Sequence, residues 1–397
     1  DLTNARLDLS EIGWVKTAGK EGKVTVLYER AEEGFSSDVL FTSEEAYLDG
    51  KFTLGGDSRL VSADLRRAFL SDTADVNGQI SRGPNGSLQV ALTGSYLDLS
   101  GALPGIGALG DASESNGTPL SVRADVDTLT LGAGLYVRNA DVTWRSTVNG
   151  MQKLSATGNT DDGSAFNIDL DGSSPEGTAI KVVSSDAGFI TSAFLDLDFI
   201  EGGRLDIDGT LARDGAPSRF NIVVTDGRLH NAPFLTQILS LASLRGLADT
   251  LGGDGVLFSR IDIPLTVAGD RYVVTGGKAQ GPALGLTANG YLGADSEISV
   301  DGVLVPSFGM NSALGGIPII GDLVVGRDGE GIFSLTYSIR GSLEKANVSV
   351  NPLSALAPGV IRRIFENPSD TDIPEAKARP EDEPIPSELP PIPEEEF

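Results

Sequence analysis

The sequence predicts a mainly β protein, built as a long antiparallel meander sheet with one continuous apolar face, a few short amphipathic helices and a disordered acidic, proline-rich tail. Two observations carry this expectation. Apolar residues recur at every second position between glycine-marked turns, most clearly from Gly255 to Asn351. That period puts all apolar side chains of a strand on one side and the polar ones on the other. The chain also holds 50 glycines but only two methionines among its 397 residues, which fits turn-rich β structure better than helix.

In the Gly255–Asn351 stretch, Ile261, Ile263, Leu265 and Val267 share a side, as do Leu284, Leu286, Ala288 and Leu292. Ile298, Val300 and Leu304 continue the pattern, followed by Phe333, Leu335, Tyr337 and Ile339. Thr287, Asn289 and Tyr291 fall on the opposite side. The segment from Val305 to Gly326 carries Phe308, Met310, Leu314, Ile317, Ile319, Ile320, Leu323 and Val324 against the single charge of Asp322. So apolar a connection must plug the end of the sheet or touch another hydrophobic phase.

Upstream, alternation recurs in Leu7 and Leu9, in Val24, Val26 and Tyr28, and in Leu88, Val90 and Leu92. It returns in Val122 to Val126, Phe166 to Leu170 and Ile180 to Val182. Leu60 to Leu70 is the exception, because its Leu and Phe spacing also suits a turn or two of helix. A helix is expected after Asp186 as N-cap, with Phe189, Ile190, Ala193, Phe194 and Leu197 as its stripe and Gly202-Gly203 as its stop. A second is expected after the cap Asn231, with Pro233 in its first turn and Phe234, Ile238, Leu241, Leu244, Leu247 and Leu251 along one side. A last short helix is expected in 351–366, and from Asn367 onward the prolines and acids predict an extended, disordered tail. The chain thus divides into 1–183, a connector at 184–220, a C-terminal unit at 221–366 and the tail at 367–397.

Composition excludes several chemistries. The formal net charge of -26 argues against nucleic-acid partners and against a basic patch for anionic headgroups. There is no cysteine and only one histidine, His230, with no evident nucleophile or ligand partner, so no enzyme and no cofactor are expected. The motif Gly105, Gly107, Gly110 has dinucleotide-loop spacing but lies in a Gly/Ser/Asn-rich stretch rather than between a strand and a helix, and reads as loop. Asp196, Asp198, Glu201, Asp206 and Asp208 lack calcium-loop spacing and read as solvated carboxylates. No apolar run is long enough to span a bilayer as a helix, and the chain is expected to be a piece of a longer protein.

Four segments carry a resemblance: SSDAGFITSAFLDLDFIEGGRLDIDG (184–209), GVLFSRIDIPLTVAGDRYVVTGGKAQGPALGLTANGYL (255–292), the stretch from VDGVLVPSFGMNSALGG through NPLSALAPGVIRRIF (300–365) and, more weakly, GSYLDLSGAL (94–103). They resemble, in order, the C-terminal region of the AsmA-like superfamily, closest to its YhdP-type members. The resemblance implies a sheet curled into a hydrophobic trough, a repeating β-groove, in a periplasmic protein of a diderm bacterium whose inner-membrane anchor lies upstream. It implies that phospholipid acyl chains slide along the apolar residues named above between inner and outer membranes, with no catalytic residue. Phe234, Ile238, Leu241 and Leu244, and Phe308, Met310, Leu314, Ile317, Ile319, Ile320 and Leu323, would then meet the outer membrane or a protein there. Alternation alone does not say whether lipid or protein covers the apolar face, so a non-transporting assembly module that binds a protein partner stays open beside the conduit.

Overall fold

The computed structural model describes residues 1–9, 14–31, 34–83, 86–100, 119–132, 135–148, 150–195, 197–213, 215–293, 295–306, 332–342 and 345–356. A short ribbon of β1 (Leu7–Leu9) and β2 (Trp14–Lys16) precedes the main sheet. An antiparallel meander follows: β3 (Gly22–Ala31), β4 (Gly34–Ser43), β5 (Ala46–Leu54), β6 (Leu60–Leu70), β7 (Ala74–Arg82) and β8 (Leu88–Asp98). β9 (Leu120–Gly132) then pairs parallel with β8. The meander resumes through β10 (Leu135–Thr147), β11 (Gly150–Asn159), β12 (Ala165–Asp171) and β13 (Gly177–Ser184).

Helix α1 (Ala187–Leu195) and the two-residue β14 (Ile200–Glu201) are inserted before β15 (Arg204–Ala212), which pairs directly with β13. After β16 (Ser218–Leu229) come α2 (Pro233–Leu241) and α3 (Arg245–Gly252). β17 (Val256–Ala268), β18 (Arg271–Gln280), β19 (Leu284–Gly293), β20 (Glu297–Pro306), β21 (Ile332–Ser342) and β22 (Asn347–Leu356) complete the twenty-stranded sheet. Among the described pairings none joins β22 to β3, and the sheet is an open meander.

Strands crossing one after another give the sheet two rims. All three helices sit at the rim where β13 and β16 end, and the opposite rim is made of hairpin turns such as 172–176 and 269–270. α1 starts as expected, with the Phe189 amide donating to Asp186 Oδ1 at 3.2 Å. It ends at Leu195, well before Gly202 and Gly203, whose positive φ values instead form the turn into β15.

Three further expectations are corrected. Leu60–Leu70 is strand β6, not helix. A bulge at Arg66–Arg67 lets Leu65 and Ala68 stand on the same face three residues apart, and this mimics helical spacing. The amphipathic stretch 234–251 is two helices, because Ser243 takes a φ of 61° and the chain folds back so that Leu235, Ile238 and Leu239 of α2 share a core with Ala248 and Leu251 of α3. Its N-cap is Ala232 rather than Asn231, with Pro233 at the start of the helix as anticipated. Finally, β22 runs through Leu353 to Leu356, because pairing with β21 holds that backbone extended where a helix was expected. The glycine motif 105–110, the apolar connection from 307 onward and the tail lie outside the described residues.

Candidate functional site: a continuous apolar face

The sheet registers align the alternating residues into rows. One row crosses fourteen strands: Ile263, Ile222, Ile207, Val182, Ile168, Ala156, Val142, Ala124, Leu92, Gly78, Leu65, Gly50, Val39 and Val26 are successive cross-strand partners from β17 to β3. Every member is aliphatic or glycine. The adjacent row, one residue along each strand, faces the other way and carries Asn221, Asp208, Lys181, Asp169, Ser155, Thr143, Arg123, Ala91, Gln79, Asp64, Lys51 and Asp38. The polar face is tied by ion pairs such as Arg66 to Asp38 at 3.0 Å, Arg67 to Asp75 at 2.9 Å and Arg340 to Asp301 at 2.6 Å. The Arg67 guanidinium holds the Asp75 carboxyl below its ordinary range.

A parallel row nearer the helices runs Leu335, Leu304, Leu286, Ala279, Ile261, Val224, Leu205. Here protein covers the face. Leu205, Leu239, Leu251, Phe258, Leu284 and Leu304 have no exposed surface, and α1 adds Ala187 and Ile190 to the same cluster, with Phe189 stacked on Phe166 at 5.9 Å between centroids. Among the expected lining residues, Ile261, Leu284, Ile298, Leu304, Leu335, Tyr337 and Ile339 are buried. Ile263, Leu265, Val267, Leu286, Ala288, Leu292 and Val300 are half-buried. Phe333 lies in β21, and its side chain falls outside the described residues.

A hollow of about 400 Å³ opens on this face over β17–β21, lined by Ile261, Ile263, Val274, Leu286, Leu292 and Tyr272 among others. Its floor is shaped by two devices. In β18 an extra residue at Gly276 forms a bulge, its φ of 74° suiting glycine, and the Asn289 side-chain oxygen accepts from its amide at 2.6 Å. On β21, the Tyr337 ring lies against Gly302, where a Cβ would come within 2.5 Å of it, and the Tyr337 hydroxyl donates to the Thr287 carbonyl at 2.7 Å. The Val303 amide turns to Thr287 Oγ1 at 3.0 Å, so the donors stay satisfied. Burial pushes the Tyr337 hydroxyl well above its ordinary pKa. Thr287, on the polar side by alternation, is therefore buried, at 4% exposure.

Of the expected contact residues on the helices, Ile238 packs inward, Phe234 and Leu244 are half-buried and Leu241 is 57% exposed. Phe308, Met310, Leu314, Ile317, Ile319, Ile320 and Leu323 lie outside the described residues, as does Asp196. No group of three metal-ligating side chains occurs among the described residues. His230 Nδ1 is 3.4 Å from the Asn231 amide nitrogen, and its own backbone amide donates to the Phe199 carbonyl. No described helix is long and apolar enough to cross a membrane.

Val274 and Ala279 of β18 were absent from the expected lining set, because the Gly276 bulge breaks the period-two signal between them. Leu65, Val142 and Ile222 were not singled out in the sequence, and only the register reveals that they share one row with Ile263. Comparisons with protein-family models, curated proteins and solved structures found no match to this chain.

Proposed function

We propose that this chain is part of a periplasmic, AsmA-like lipid conduit of the YhdP type, in which phospholipid acyl chains travel along the apolar face between inner and outer membranes without any chemical step. The fourteen-strand aliphatic row is the observation that carries this reading. A core made for stability alone has no need of a continuous stripe perpendicular to so many strands, whereas a sliding hydrocarbon needs one with no charge and no gap. Moving two acyl chains of about 14 methylenes each into water costs on the order of 20 kcal/mol, and an apolar track removes most of that barrier. Bulges on β6, β8, β10 and β18 supply the local bending that curls a flat sheet into a groove.

The sealed cluster under the helices favours a second reading for that rim alone: an assembly module whose apolar face is closed by protein. The two separate in one experiment. The purified chain is incubated with phosphatidylethanolamine–phosphatidylglycerol vesicles, re-isolated and extracted for mass spectrometry. The conduit reading expects bound phospholipid in molar proportion, lost in Ile207→Asp with the fold intact by circular dichroism. A lipid-free chain, or one that unfolds in Ile207→Asp without ever having held lipid, supports the assembly module.

A further inference from the structure

The two rims of the sheet differ in cover, in the exposure of their inward aromatics and in charge. At the helix-bearing rim the inward aromatics are Phe41, Phe166 and Phe258, at 8%, 6% and 0% exposure. At the opposite rim they include Trp144 on β10, Tyr272 beside the 269–270 turn and Tyr28 on β3, together with Phe35, Phe52 and Phe220, and Phe35 is 39% exposed. Tyr272 and Tyr28 are 49% and 79% exposed. Tyrosine and tryptophan, apolar with one polar tip, suit an edge where hydrocarbon meets water.

Charge follows the same division. Between β11 and β17 the helix-bearing rim carries Asp161, Asp162, Asp186, Asp198, Glu201, Asp226, Asp249 and Asp254 against Arg204, Arg228 and Arg245. The opposite rim over β10–β18 carries Arg145, Lys153, Arg213, Arg219 and Arg271 against Asp171, Glu176 and Asp270. Arg145 and Lys153 stand directly opposite each other on β10 and β11, and Asp171 faces Lys153 from β12 and offsets the like-charge pair. Arg219 and Arg271 are exposed and stand next in sequence to the inward Phe220 and Tyr272. The hollow over β17–β21 reaches from Ile261 on the sealed side to Tyr272 on this one.

We infer that, on the conduit reading above, a phospholipid lies across the strands in one orientation: acyl chains on the central rows, and phosphate at the rim opposite the helices, beside Arg219 and Arg271. At the helix-bearing rim the described helices cover the apolar face, and the excess of carboxylates there disfavours a phosphate. Long arginine side chains leaving the rim from the polar face reach a phosphate held in water at the edge, as bidentate donors.

The test compares Arg219→Glu/Arg271→Glu with Arg204→Glu/Arg245→Glu, an equal charge change at the helix-bearing rim. Each purified full chain is incubated with phosphatidylglycerol vesicles or with dispersed diacylglycerol of the same chain length, and bound lipid is measured. Arg219→Glu/Arg271→Glu should lower phosphatidylglycerol capture roughly tenfold, as expected for one lost charge-assisted contact, and leave diacylglycerol capture unchanged. Arg204→Glu/Arg245→Glu should alter neither. Equal losses from both pairs, or parallel loss of diacylglycerol, overturn the orientation. Capture of diacylglycerol but not phosphatidylglycerol by the unaltered chain overturns the phosphate site and leaves an apolar conduit. Capture of neither overturns the conduit itself.

Discussion

The strands under the helices and the strands at the β3 edge share one alternation and differ in everything above it. On β19 and β20, Leu284 and Leu304 are completely buried in the cluster to which α2 and α3 contribute, whereas on β3 Val26 is 49% and Tyr28 79% exposed. The same inward side chains are core in one place and open surface in the other. Period-two patterning therefore specifies which way a residue faces, while the cover is specified by inserted elements that the strands themselves do not encode.

Substitutions should separate the two regions. Phe258→Ala, in the sealed cluster with no exposed surface, is expected to destabilise by about 3–5 kcal/mol in chemical denaturation. Leu65→Ala, half-buried on the open row, should cost less than about 2 kcal/mol; equal costs would mean that the helices add no packing. Gly302→Ala places a methyl 2.0 Å from the Thr287 carbonyl oxygen and 2.5 Å from the Tyr337 ring, and is expected to cost about 1–3 kcal/mol.

Tyr337→Phe leaves the ring and removes the bond to Thr287, a loss of about 1 kcal/mol. Because burial raises the folded-state pKa of this hydroxyl, its stabilisation is present below the ordinary tyrosine pKa of about 10 and is lost as pH rises beyond it. The phenylalanine variant should therefore show a flatter alkaline stability profile, and an unchanged profile would refute the buried hydroxyl. Val26→Thr, on the open edge, should stay within about 0.5 kcal/mol.

The smallest effect belongs to the polar face. Asp75, held low by Arg67, contributes stability above the ordinary carboxylate range that is lost as pH falls through its depressed folded pKa. Asp75→Asn should therefore lower stability slightly at neutral pH, change it least at the acid end and so flatten the fall of the curve toward acid, as measured by urea titration across pH.

How much of this was legible beforehand depends on the kind of residue. The direction of Ile263, Leu286 and Val300 followed from alternation, because a strand's period is two wherever the chain is regular. Bulges hid the rest. At Arg66–Arg67 an inserted residue made Leu65 and Ala68 look helical, and at Gly276 another separated Val274 from Ala279. The break at Ser243 was equally hidden, since the leucine stripe of 234–251 continues through it and only the packing of α2 on β22, of α3 on β17 and of the two helices on each other accompanies the fold-back. The cross-strand row itself depends on register, a relation between distant segments that no local window contains. The rim asymmetry was invisible for the same reason: Arg219 and Arg271 are far apart in sequence and come to one edge, on either side of β17, only because hairpins return them there.

Site-specific photo-crosslinking tests the central claim most directly. A photoreactive residue is placed at Ile207 on the apolar row or at its neighbour Asp208 on the polar face, and the chain is irradiated with phospholipid vesicles. The conduit predicts phospholipid adducts from position 207 and none from 208. Adducts from both positions alike, or from neither, would contradict it.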